Sequence, residues 1–130
     1  MYLMGFDYGS KRIGVAIGQT ITATASPLTI VAVKNKQIDW AKINSLVQEW
    51  QPNELIVGLP SHDDGSDNII TIAVQRFCRQ LHGRYHLPVH TIDERLSSFA
   101  AAERVSGSEP LDAVAAQIIL ETWFSDLISQ

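Results

Sequence analysis

A chain of 130 residues, 45% hydrophobic and carrying three tryptophans, is long enough for one domain, spanning 1–130, with a substantial core. No apolar run approaches the roughly 18 to 20 residues that span a bilayer and no basic leader precedes the first strand, so the expected location is cytoplasmic, with no membrane partner. The formal charge of −4 argues against a generic nucleic-acid coat protein, though not against a nuclease, whose clustered carboxylates are offset by bound cations. The single cysteine, Cys78, excludes an intramolecular disulfide.

The apolar stretches 2–8 and 12–18 read as paired strands around a Gly9-Ser10-Lys11 turn, with Gly9 expected to supply a positive φ. Residues 23–33 predict a third antiparallel strand, in which Pro27 marks an edge or a bulge. Ile43, Leu46, Val47 and Trp50 recur at helical spacing behind Asp39 as N-cap, predicting a helix over about 39–50 that Pro52 ends. The run Glu54–Leu59 is of the buried parallel-strand type, stopped by Pro60.

After the loop 61–66 comes a second amphipathic helix, striped by Ile70, Ala73, Val74, Phe77 and Leu81, capped by Ser66 or Asp67 and left at Gly83. Residues 89–92 form a further strand ending at Asp93-Glu94-Arg95, and Ser97 or Ser98 caps a short helix to about Val105. Pro110 opens a last helix over about 110–128. Three antiparallel strands followed by alternating helices and parallel strands predict an α/β fold with a mixed five-stranded sheet and helices on both faces, the ribonuclease H-like architecture.

Asp7 is an acid in an otherwise apolar strand, a placement that costs several kcal/mol unless the carboxylate is paired, hydrogen-bonded or bound to a metal. Two other acidic stretches, Asp93-Glu94 and Asp112, lie at the edges of regular elements and could converge on it. Each has a plainer explanation. Asp7 could cap the Gly9 turn, Arg95 could pair with a neighbouring carboxylate, and Asp112 suits the first turn of any helix. Adjacent strand residues point to opposite faces, so Asp93 and Glu94 cannot serve one site equally, and Glu94 is favoured. Gly9, Ser10, Lys11 and Arg12, together with Arg95, are candidates for phosphate contacts. His82, His86 and His90 show no defensible pairing and read as surface or strand-side residues.

Four blocks in order, Phe6-Asp7-Tyr8-Gly9-Ser10-Lys11-Arg12-Ile13-Gly14-Val15-Ala16, Ile56-Val57-Gly58-Leu59-Pro60 with Asp64-Gly65, Asp93-Glu94-Arg95-Leu96-Ser97-Ser98, and Leu111-Asp112-Ala113-Val114-Ala115-Ala116, resemble those of the YqgF (RuvX) family of ribonuclease H-like nucleases. The resemblance covers nearly the whole chain. It implies a metal-dependent nuclease for the 5′ end of pre-16S ribosomal RNA, with branched DNA as the alternative substrate and a non-catalytic RNA-binding assembly factor as a further reading. By the same likeness Asp7, Glu94 and Asp112 would ligate Mg²⁺ or Mn²⁺, with two ions expected, and Asp93 would complete the catalytic acids. The expected assembly is a monomer or homodimer. One departure is the short segment 106–109, which carries no Lys or Arg where family members often have a longer basic one.

Overall fold

The computed structural model describes residues 1–9, 11–59, 69–93 and 111–128. The expected loop 61–66, the caps Ser66 and Asp67, the short helix to Val105 and Pro110 lie outside these residues.

Strands β1 (Tyr2–Tyr8), β2 (Arg12–Gln19) and β3 (Thr24–Lys34) form an antiparallel meander. A two-residue strand β4 (Gln37–Ile38) continues it, and β5 (Glu54–Leu59) and β6 (Val89–Asp93) add on the other side. The sheet order is β4-β3-β2-β1-β5-β6, with β5 parallel to both β1 and β6. Six strands therefore replace the five expected. The addition is the hairpin at Asn35 and Lys36, whose φ values of 52° and 63° give a two-residue turn with both central residues left-handed.

Among the described residues three helices cover the sheet: α1 (Trp40–Trp50), α2 (Ile69–Tyr85) and α3 (Leu111–Ile128). Alternation along β1 decides which face each residue serves. Met4 and Phe6 enter a core shared with Ile43 of α1 and with Val74, Phe77 and Leu81 of α2. Leu3 turns to the opposite face and packs with Ala116, Ile119, Leu120 and Phe124 of α3. Because α3 buries residues around most of its circumference, its sequence carries little amphipathic signal.

Local chemistry accounts for most boundaries. The Asp39 side chain accepts from the Lys42 amide at 3.3 Å, capping α1 as expected, and Gln51 ends that helix in a left-handed conformation ahead of Pro52. Pairing between β2 and β3 slips between Val15 and Ala16, opposite Thr29 and Pro27, which is the bulge that Pro27 foretold.

Two glycines behave differently from expectation. Helix α2 continues through Gly83 and exits at His86, whose φ is 56° and whose amide donates to the His82 carbonyl. Gly9 is not left-handed: it is required because a Cβ there would sit 2.7 Å from the Arg12 carbonyl oxygen.

Candidate functional site

Asp7 lies near the C-terminal end of β1, one residue before the strand finishes. Leu3 packs with α3, so strand parity carries Gly5 and Asp7 to that same face. Opposite Asp7 on β2 stands Gly14, which contributes no side chain. Arg12 shares the parity of Gly14, opposite to that of the core residues Ile13 and Val15, and is exposed. A carboxylate and a guanidinium thus occupy one face at one end of the sheet. Lys11, the residue before β2, is exposed.

The approach of α3 fixes where the last acid falls. A Cβ on Gly5 would lie 2.7 Å from Leu120 Cγ and 3.1 Å from the Ala116 carbonyl oxygen, so helix and strand are in contact there. At Gly18, the cross-strand neighbour of Leu3, a Cβ would lie 3.0 Å from Phe124. Helix α3 therefore runs opposite to β1. Going from Gly5 to Asp7 advances about 6.6 Å along the strand, and going back from Ala116 to Asp112 covers about 6 Å along the helix. The start of α3 is therefore directed toward the end of β1 that carries Asp7. Ala116 gives the helix a slim surface toward β1, whereas Ala115 belongs to a separate cluster with Val114 and Ile118.

Asp93 is the final residue of β6 and pairs with Leu59 of β5, two strands from β1 and at the same end of the sheet. Glu94, Arg95 and Ser10 lie outside the described residues. Among the described residues no group of three or more His, Cys, Asp or Glu side chains could hold a metal ion. Of the four expected acids, only Asp7 has a described side chain. Its hard oxygen donors, beside a strand position without a side chain, suit a divalent cation.

One pairing was not anticipated. His90 Nε2 lies 2.7 Å from Glu54 Oε1, and the imidazole stacks on Trp123 with 4.9 Å between ring centroids. The cue was the parallel register that seats Ile56 beside His90, which cannot be read from either segment alone. This pair belongs to the starts of β5 and β6, the end of the sheet away from Asp7, so it is no part of the same site.

A family model described as RuvX, Holliday junction resolvase, matches residues 1–126. The chain belongs to the RuvX family. Among its relatives, a protein of Hydrogenovibrio crunogenus named "Putative pre-16S rRNA nuclease" is 48% identical, over 96% of this chain and 94% of that one. An Azotobacter vinelandii protein of the same name is 43% identical over 95% and 93%. Among solved structures, Thermus thermophilus RuvC in complex with a Holliday junction substrate superposes with a TM-score of 0.70 at 15% identity, covering 98% of this RuvX chain and 96% of the other. That likeness establishes the shared ribonuclease H-like fold. Nucleases of this kind generally use divalent metal ions. No described helix is long and apolar enough to cross a membrane.

Proposed function

We propose that this protein is a metal-dependent nuclease that hydrolyses phosphodiester bonds in pre-16S ribosomal RNA during maturation of its 5′ end. The observation that supports this reading is the approach of α3 to β1 at Gly5, which directs the start of that helix toward the end of the central strand that carries Asp7. Asp7, Asp112 and Glu94 would hold Mg²⁺ or Mn²⁺, as one or two ions. Glu94 is preferred to Asp93 because adjacent residues of a strand cannot both address one site. Asp93 would then stand behind Glu94, orienting it.

A bound divalent ion supplies neutralisation of phosphate charge and a water acidified toward neutral pH. The chain's own residues do the rest. Arg12, on the same face as Asp7, would bind a non-bridging phosphate oxygen, and the Gly9-Ser10-Lys11 turn would hold the neighbouring phosphate through backbone amides and the Lys11 ammonium. The close packing at Gly9 holds this turn tight against Arg12. Arg95 would contact the scissile or a neighbouring phosphate.

Incubation of the purified protein with pre-16S RNA and, separately, with a four-way DNA junction, with Mn²⁺ or with chelator, tests the reading. Metal-dependent cleavage near the 5′ end of the RNA is the expected result. Cleavage of the junction alone would reassign the substrate to branched DNA, and symmetric junction cleavage would call for a homodimer. Binding without cleavage of either would make the protein a non-catalytic assembly factor.

A further inference from the structure

On the face of the sheet away from Asp7, a groove of about 910 Å³ runs between the β3–β4 hairpin, the start of α1 and the flank of α2. Its apolar walls include Tyr8, Ile38, Trp40 and Ile72, the last of them 56% exposed. Lys36 and Arg76 supply its charge, and among the described residues no acidic side chain lines it. In a chain of net charge −4, a groove whose described charged residues are both cations is a local exception.

Two further observations connect it to the nuclease reading, on which this inference rests. Tyr8 directly follows Asp7, so the groove reaches the same end of β1 as the acid, on the opposite face of the sheet. Lys36 occupies a left-handed turn position, φ 63°, where a two-residue hairpin favours glycine. The cation at the lip of the groove is thus kept against local backbone preference.

We propose that this groove binds a single-stranded segment of the nucleic-acid substrate beyond the scissile phosphate. Bases would rest against Tyr8, Trp40 and Ile72 while Lys36 and Arg76 take backbone phosphates. Aromatic and apolar surface interleaved with cations, without paired donor and acceptor sets for base edges, gives sequence-tolerant binding of unpaired strands.

The test is fluorescence anisotropy with a labelled single-stranded RNA of about twelve nucleotides, within the usual footprint of such grooves. It is run in chelator across a range of salt for wild type, Lys36→Gly, Arg76→Gln, the double variant and Arg79→Gln. The double variant should bind at least about tenfold more weakly and lose about 1.4 from the magnitude of its salt slope, about 0.7 for each phosphate contact removed. Arg79→Gln makes the same charge change on α2 outside the groove and should shift affinity less than about twofold. Lys36→Gly should not lower thermal stability, so its weaker binding cannot come from unfolding. Equal affinity and slope for wild type and double variant would overturn the groove, as would an equal loss in Arg79→Gln. A parallel cleavage assay with Mn²⁺ separates the two readings. Groove-dependent binding by a wild-type protein that cuts nothing removes the nuclease and keeps the groove, while unaltered binding in a double variant that still cuts removes the groove alone.

Discussion

Gly5 of strand β1 lies against Ala116 and Leu120 of helix α3, with room for a hydrogen but not for a methyl group on the glycine. Gly5→Ala would place a carbon 2.7 Å from Leu120 Cγ and 3.1 Å from a backbone oxygen, so the helix must move away by several tenths of an ångström. The expected cost is about 1–3 kcal/mol, the usual penalty for overpacking. In a Leu120→Ala background the added penalty should shrink, because the closest obstructing atom is gone. Chemical denaturation of the four members of that cycle measures it. Additive losses would show that α3 does not rest on Gly5.

Asp7→Asn keeps the shape of the side chain and removes the charge a cation requires. Mn²⁺ should raise the melting temperature of the wild-type protein and leave the variant's unchanged, while RNA cleavage falls by at least about two orders of magnitude. The apo variant should be as stable as wild type or more so, since a source of like-charge repulsion has gone. Wild-type cleavage by the variant at saturating Mn²⁺ would remove Asp7 from the catalytic acids.

Gly83 lies inside α2, exposed, with no atom within 4 Å of where a Cβ would stand. Gly83→Ala should stabilise the protein by about 0.5–1 kcal/mol, through helix propensity and a less disordered unfolded chain. The midpoint of urea unfolding should rise at an unchanged slope. A fall would mean that α2 does not continue through this position.

Burial raises the Cys78 thiol pKa above 9.0, the ordinary value, against a smaller opposing effect of Arg79. Because the folded state holds this proton more tightly, the thiol's contribution to stability is complete below the unfolded pKa and is lost as pH rises through the folded one. Alkylation should therefore be slow at pH 8 and accelerate only at higher pH than for a small free thiol. Cys78→Ala should flatten the alkaline limb of the stability profile relative to wild type. A thiol that reacts at pH 8 as fast as glutathione would contradict the burial.

Elements whose signal is local were legible in the sequence. Strand β5 runs over the residues its apolar run marks, and Asp39 caps α1 as its position before Trp40 and Ala41 implies. Strand β4 was not legible, because two residues have no periodicity and its turn uses Asn35-Lys36 where glycine would have announced it. Gly83 misled for the complementary reason: glycine is the common helix exit, but here His86 adopts the left-handed conformation before Pro88. At the site, Asp7 stood out as an acid among apolar neighbours. Its relation to position 112 depended on the contacts of Gly5 and Gly18 with a helix about a hundred residues distant, which no local pattern contains.

The location of β1 has a consequence for which parts of the molecule let go first. It is hydrogen-bonded to β2 on one side and to β5 on the other, so its interior amides exchange with solvent only through openings that break the sheet at its centre. Deuterium uptake should thus be slowest at Phe6 and its strand neighbours and faster at Lys34, whose strand partner is Gln37 of the two-residue β4. A carboxylate carried by the slowest-exchanging strand keeps its position while the outer strands breathe, so the protein can loosen its margins around a substrate without displacing Asp7.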